Sequence, residues 1–157
     1  MKQRLLSLVL VLSILVGLFT GCTPAIEKIS DNNTEQLSEN RQVQVDEEGI
    51  YTSPEEVALY IHHFNQLPKN YITKEEARSL GWESSKGNLW EVTDQMTIGG
   101  DKFGNREGLL PQAEGRQYFE CDVNYEGGFR GPERLVYSND GLIFYTQDHY
   151  NTFQRLY

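Results

Sequence analysis

Apolar residues recur with a helical period between about residues 53 and 92 and with a period of two from about residue 97. Few single domains accommodate that order. In the first stretch Val57, Tyr60, Ile61 and Phe64 are spaced i, i+3, i+4, i+7, which lays them along one helix face. Ser53-Pro54-Glu55-Glu56 supplies the start: Ser53 caps, Pro54 suits the first helical position, and Glu56 returns a bond to the cap's backbone N–H. Pro68 forbids continuation. Thr73-Lys74-Glu75-Glu76 is a second capping box, closed by Gly81, with Ala77 and Leu80 as the apolar contacts of that short helix. Asn88 caps a third turn reaching Val92.

From Gln117 to Tyr125 the pattern alternates, with Phe119, Cys121, Val123 and Tyr125 on one face and Tyr118, Glu120, Asp122 and Asn124 on the other. Leu135 to Tyr137 and Leu142 to Thr146 read as further strands, joined by Ser138-Asn139-Asp140-Gly141, whose Asp-Gly pair is a strong hairpin signal. Helices first and strands after predict an α+β domain, with N-terminal helices packed on an antiparallel β-sheet. The polar face of that sheet is the expected place for function. Residues 50–157 suffice for one core and suit one domain rather than two.

What precedes them reads differently. Lys2 and Arg4 form a charged start, Leu5 to Thr20 is an almost wholly apolar run too short for the ~20 residues of a spanning helix, and Gly21-Cys22 follows. Residues 1–21 therefore read as an export signal. Thr20-Gly21-Cys22 resembles the cleavage box of bacterial lipoproteins, in which Cys22 becomes the lipidated first residue; Phe19 stands where that box usually has Leu. Residues 23–49 carry seven acids against two bases and no periodicity, so 22–49 reads as a disordered acidic tether. Cys121 falls on the core face of a strand, where a thiol behaves as a small apolar group, and a lipidated Cys22 is not free to pair with it. The expected location is extracellular, either secreted or anchored to the outer face of the cell membrane.

More specific words then emerge: LPKNYITKEEA (Leu67 to Ala77), LGW (Leu80 to Trp82), SKGNL (Ser85 to Leu89), IGGDKFGNREGLLP (Ile98 to Pro111), DVNY (Asp122 to Tyr125), GFR (Gly128 to Arg130), ERLVYS (Glu133 to Ser138) and DHYNTF (Asp148 to Phe153). In this order, across Ser53 to Tyr157, the chain resembles the barnase-type bacterial guanyl-specific ribonucleases. The resemblance implies a barnase-like fold, a single-stranded RNA substrate and a monomer. It also implies a general base at Glu120, a general acid at His149, and phosphate-binding cations at Lys74, Arg130 and Arg134. The guanine loop falls on Phe103, Gly104, Asn105, Arg106 and Glu107, with Gly104 where the family usually has Ser, and Tyr150 stands beside His149 as a second ring for the base.

These residue types suit the reaction. RNA carries its own nucleophile, the 2′-hydroxyl, so the enzyme needs one group to take that proton, another to protonate the 5′-oxygen, and cations for the phosphate. No metal or cofactor is required. Arginine forks match phosphate oxygens, and a carboxylate such as Glu107 accepts from guanine N1–H and N2–H₂ together. Alternation alone does not choose between Glu120 and Asp122; the resemblance chooses Glu120. Asp101 and Asp122 are expected to hold arginines or the loop in place. Arg130 and Arg134 could equally be surface charges paired with Glu126 or Glu133, and His62 and His63 read as exposed helix residues.

Charge runs against the substrate. Residues 50–157 hold ten bases and sixteen acids, a net −6, which slows the approach of a polyanion. That balance sustains a rival of another class: a membrane-anchored, ribonuclease-shaped binding module acting through a protein partner. Retention of Glu120, His149, Arg130 and Arg134 together favours the enzyme. The resemblance further implies a barstar-like inhibitor protein, which would touch Lys74, Arg106, Arg130, Arg134 and His149.

Overall fold

Helix α1 (Pro54–Phe64) starts and stops on local chemistry. Ser53 Oγ accepts from the Glu56 N–H at 3.3 Å and donates to Glu56 Oε2 at 2.6 Å, so the returning bond goes to the hydroxyl and not to the cap's N–H. The helix ends at Phe64, four residues before Pro68, because Asn65 takes the left-handed conformation (φ 53°) and donates its N–H to Ile61 O at 2.8 Å. Val57, Tyr60 and Ile61 are buried as expected, Ala58 joins them, and Phe64 is half-buried.

These contacts come from a computed structural model that describes residues 43–157. The expected export signal, Cys22 and the greater part of the tether lie outside the described residues. Fixed contacts begin before residue 50. The Asp46 N–H donates to the Tyr51 hydroxyl at 2.7 Å, and the Tyr60 hydroxyl donates to Glu47 O at 2.8 Å, so two tyrosines tie the end of the acidic segment to α1.

Strand β1 (Tyr71–Ile72) follows, then α2 (Lys74–Ser79) and α3 (Leu89–Val92). The Thr73–Glu76 capping box forms in full. Gly81, at φ 99°, closes α2: its N–H bonds Arg78 O, and that of Trp82 bonds Ala77 O at 3.0 Å. Ala77 is fully buried, but Leu80 is 53 % exposed and is not an apolar contact of this helix; Trp82 fills the core beside Ala77 instead. The Asn88 side chain does not cap α3. It accepts from the Glu83 N–H and donates to Gly81 O, bracing the loop between the two helices.

Five strands complete the sheet: β2 (Thr97–Phe103), β3 (Tyr118–Asp122), β4 (Arg134–Ser138), β5 (Ile143–Thr146) and β6 (Gln154–Arg155). The six strands lie in sequence order and are antiparallel throughout, apart from β1, which runs parallel to β2. The α+β architecture is as predicted. The two-residue strands at the edges are too short to show a period.

The alternation in β3 puts Cys121, with Val123 beyond the strand, against Val57, Ala58 and Ile61 of α1, with Leu135 and Ile143 from the neighbouring strands. Burial pushes the Cys121 thiol well above its ordinary pKa, in keeping with a packing role. The opposite face is not uniformly polar. At one end Tyr118, Val136 and Phe144 form a second cluster under Leu110, and only beyond it do Glu120 and Asp122 define a polar region.

Candidate active site

Rows of register partners across the sheet build the site. Asp122 on β3 faces Arg134 on β4, which faces Thr146 on β5; in the next row Glu120 faces Val136, which faces Phe144. All of these side chains leave one face of the sheet, opposite the main core.

Glu120 is 8 % exposed and has two donors. Lys74, the first residue of α2, donates from Nζ to Oε1, and the Tyr150 hydroxyl donates to Oε2. Lys74 is held in turn by its own N–H, which bonds Asp101 Oδ2 at 3.1 Å. Burial alone would raise the Glu120 carboxyl, but the bonds from Lys74 and Tyr150 and the charges of Lys74 and Arg130 outweigh it, holding the group below the usual carboxylate range. The same contact acts in reverse on Tyr150: burial and the Glu120 carboxylate push its phenol far up, so it stays a donor.

Two residues along, Asp122 is 2 % exposed and holds both arginines. It accepts from Arg130 Nε and Nη2, each at 2.6 Å, and lies 2.8 Å from Arg134 Nε. Arg134 Nη1 donates to Gly131 O at 2.7 Å and Glu133 O at 2.6 Å. Neither arginine pairs with the Glu126 or Glu133 carboxylate, so the surface-pair alternative fails, and the expected anchoring role of Asp122 is what the geometry shows. Burial opposes the Arg130 charge, yet the bonds from Asp122 prevail and keep its guanidinium firmly protonated. One carboxylate against two guanidiniums leaves a unit of positive charge facing the cleft.

That cleft, about 510 Å³, is lined by Arg130, Arg134 and His149 together with Ser84 and Phe129. His149 and Tyr150 both sit at positive φ, 55° and 72°. Two consecutive left-handed non-glycine residues cost on the order of 1–3 kcal/mol each and need support. Asp148 supplies it, accepting from Thr146 Oγ1 at 3.0 Å and from the N–H groups of Asn151 and Thr152 at 3.1 and 2.9 Å; Thr146 Oγ1 in turn accepts from the Tyr150 N–H. The strained turn keeps the two adjacent rings together, centroids 4.8 Å apart, with the Tyr150 hydroxyl on Glu120 and His149 lining the cleft.

The 103–110 loop leaves the end of β2. Asn105, at φ 41°, closes it with its own side chain: Nδ2 donates to Leu110 O at 2.9 Å and Oδ1 accepts from the Leu110 N–H at 3.0 Å. Leu110 is buried and anchors that clamp. Gly104 has no left-handed φ, and a Cβ there would meet only the Arg106 side chain at 3.5 Å, so the loop's shape does not depend on glycine at this position. Phe103 lies against Tyr150, ring centroids 5.2 Å apart, linking the loop to the Glu120 region. Arg106 and Glu107 are exposed, and among the described residues their side chains touch no partner in the cleft. His62 and His63 are exposed on α1, away from this group, and His62 stacks on Tyr157 at 4.1 Å.

Sequence reasoning missed the contributions of four residues. Tyr150 was expected as a stacking ring, and its bond to Glu120 was not foreseen. Ser84 lies outside the quoted words and Phe129 stands in the GFR word with no role assigned to it, yet both line the cleft. Asp148 had a legible signal, since an Asp two residues after Thr146 and just before a non-glycine turn is a common turn-former.

Comparison with known proteins agrees with this layout. A family model described as ribonuclease matches residues 54–157. A ribonuclease from Heyndrickxia coagulans is 57 % identical over 100 residues, covering 64 % of this chain and 92 % of the relative. A ribonuclease from Bacillus intermedius has the same identity over 100 residues, but the matched region spans only 62 % of that longer protein. Guanyl-specific ribonuclease St from Saccharopolyspora erythraea is 43 % identical over 70 residues, 44 % of this chain and 65 % of the relative. With two thirds of its length inside the family model and a described fold that fits it, the chain belongs to the barnase-type microbial ribonucleases.

Proposed function

We propose that this protein is an exported endoribonuclease that cleaves single-stranded RNA after guanosine, first by transesterification to a 2′,3′-cyclic phosphate and then by hydrolysis. The observation that carries the reading is Glu120: a buried carboxylate kept ionised by Lys74 and Tyr150, beside two arginines that share Asp122 and line a cleft with His149. In this reading Glu120 takes the 2′-hydroxyl proton and His149 protonates the 5′-oxygen as the bond to phosphorus breaks. In the second step His149 takes a proton from water and Glu120 returns one to the 2′-oxygen. Arg130, Arg134 and Lys74 stabilise charge developing on the phosphoryl oxygens.

Guanine selectivity is assigned to the loop. Glu107, exposed and unpaired among the described residues, accepts from N1–H and N2–H₂, backbone amides of the Asn105-clamped turn serve O6, and Phe103 with Tyr150 supplies a stacking surface. The name of the Saccharopolyspora relative supports that preference. Incubation with guanylyl-adenosine in EDTA tests the reading: guanosine 2′,3′-cyclic phosphate should accumulate first. Cleavage without preference for G, or a linear product from the outset, would contradict it.

Export follows from the signal-like residues 1–21, with lipidation of Cys22 holding the enzyme at the outer face of the membrane. Labelling by a palmitate analogue in a bacterial host, abolished in Cys22→Ala, is the expected result; unlabelled protein wholly in the medium would mean simple secretion. A barstar-like inhibitor is the proposed partner, covering Lys74, Arg106, Arg130, Arg134 and His149.

A further inference from the structure

The face of the sheet opposite Glu120 carries a second concave site that the chemistry above does not use. Lys102 of β2 is the register partner of Phe119 on β3, Phe119 of Tyr137 on β4, and Tyr137 of Ile143 on β5. The four side chains therefore form one row on a single face. Successive strand residues point to opposite sides, so Phe119 leaves the face away from its neighbour Glu120. Helix α1 packs on this same face but stops at Asn65 before covering the row. The gap is a pocket of about 250 Å³, lined by Ile61, His62, Asn65, Phe119, Tyr137 and Asn139. The β4–β5 turn forms part of its wall through Ser138, Asn139 and Gly141, and the space at Gly141 is open, since a Cβ there would meet no atom within 4 Å.

Three properties define what would fit. Phe119 and Tyr137 are half-buried and stack on one another, with centroids 5.7 Å apart and planes at 27°, so the pair offers a ligand its outer faces and ring edges. At the helix end, the Asn65 side-chain amide and the Tyr137 hydroxyl have no hydrogen-bond partner among the described residues, and the last carbonyls of α1 offer acceptors at the negative end of its dipole. Outside the pocket's lining but next to Phe119 in the same row, Lys102 is exposed and forms no ion pair among the described residues, although the domain is acidic. A flat ring whose edge carries amino groups, joined to an anion on one side, matches all three. The volume lies below the ~300–1,000 Å³ of drug-sized sites and suits a single base.

We propose that this pocket is a second nucleotide-contact site, in which one unpaired base of an RNA strand stacks on the Phe119–Tyr137 pair with its phosphate at Lys102. The proposal rests on the reading that the protein acts on single-stranded RNA, and it adds a hold on the strand at a face where no cleavage occurs. The stacking itself tolerates any base, because every base has a π-face, while the acceptors at the helix end favour bases that carry an amino group. It would also offset part of the affinity that a net charge of −6 removes.

A short oligodeoxyadenylate is the probe, since it has no 2′-hydroxyl to be cleaved and no guanine for the 103–107 loop. Titrated into the ¹⁵N-labelled chain, it should shift the amides of Asn65, Lys102, Phe119 and Tyr137. Tyr137→Leu should weaken binding by about fivefold or more, the low end for one stacked base. Lys102→Glu should lower the affinity and flatten its logarithmic salt dependence by about one phosphate contact. Asn65→Gly keeps the left-handed cap while deleting the amide, so it probes the edge contact if Tyr137→Leu fails to fold. Shifts confined to Arg130, Arg134 and His149, no shifts at all, or variants that bind like the parent would overturn the proposal. Guanylyl-adenosine cleavage by the same parent sample is scored separately: loss of cleavage with the shifts intact sinks the catalytic reading alone, and cleavage without the shifts sinks this site alone.

Discussion

Lys74→Met removes the ammonium that faces Glu120 and keeps most of the aliphatic stem. In the protein that ammonium donates to Glu120 Oε1, lies 3.9 Å from Asp101 Oδ2, and leaves 23 % of its side chain accessible. A hydrogen bond with a charged partner contributes ~1.5–3 kcal/mol, and the residual exposure together with the second donor, Tyr150, puts this one near the lower figure, about 1.5 kcal/mol. Because the folded chain holds the Glu120 carboxyl below its ordinary range, the pair's contribution is present above the unfolded carboxyl's pKa and is lost as pH falls through the folded one. At neutral pH the variant should therefore unfold at a lower urea concentration, by roughly 1 M for a slope of ~1.5 kcal/mol per M. The gap between variant and parent should narrow as both are taken to acid. Activity should shift in the opposite sense along the pH axis. Without Lys74 less opposes burial, the carboxyl protonates at higher pH, and the acid limb of kcat/KM moves upward. Urea unfolding followed by Trp82 and Trp90 fluorescence over a pH series, with initial rates on guanylyl-adenosine, measures both. A stability gap independent of pH, or an acid limb that stays in place or moves down, refutes the argument.

Three further outcomes follow from the same geometry. Asp122→Ala should destabilise the fold by ~3–5 kcal/mol in chemical denaturation, because it strands the Arg134 guanidinium, 3 % exposed, without its carboxylate; a loss below about 1 kcal/mol would mean that the arginines find other partners. Glu107→Gln should erode the preference for cutting after G while leaving the melting temperature unchanged, since the side chain is exposed and makes no contact among the described residues; unaltered selectivity would remove Glu107 as the reader. Association with a barstar-like inhibitor, which is itself acidic, should slow as salt is lowered, because the net −6 of the domain repels it; a rate that climbs steeply at low salt would mean the local charge of Lys74, Arg130 and Arg134 dominates.

Much of the fold was legible because local chemistry and tertiary packing agree. The Ser53 and Thr73 caps, the α1 stripe, the β3 alternation and the Asp140-Gly141 turn each point to the observed element, and each is also satisfied by its surroundings. Misreadings arose where a long-range partner decided the outcome. Leu80 has the spacing of a core residue, but the closing turn at Gly81 hands its place to Trp82. Asn88 has the chemistry of a cap and spends it on Gly81 and Glu83. Strand β1 owes its existence to the neighbouring β2, and two residues carry no period of their own.

At the site, alternation placed Glu120 and Asp122 side by side without ranking them. The contacts now separate them: Asp122 is saturated by two guanidiniums, while Glu120 is bound by one ammonium and one hydroxyl, groups that a substrate could displace. The positive φ of His149 and Tyr150 lay beyond reach of sequence patterns, since positive φ is uncommon for any non-glycine residue, even for His, where it is enriched, and bonds of Asp148 and Thr146 to this turn support it.

The division of labour between Glu120 and His149 is the central claim, and a change of leaving group tests it most directly. Protonation of the 5′-oxygen matters when the leaving group is a sugar alkoxide and hardly at all when it is a stable phenolate, whereas the 2′-hydroxyl must lose its proton in both cases. Rates for Glu120→Ala and His149→Ala should be compared on guanylyl-adenosine and on guanosine 3′-(4-nitrophenyl phosphate). His149→Ala should lose ~10²–10⁴-fold on the first and regain most of that on the second, while Glu120→Ala stays impaired on both. Equal losses for His149→Ala on the two substrates, or recovery of Glu120→Ala on the nitrophenyl ester, would contradict the assignment.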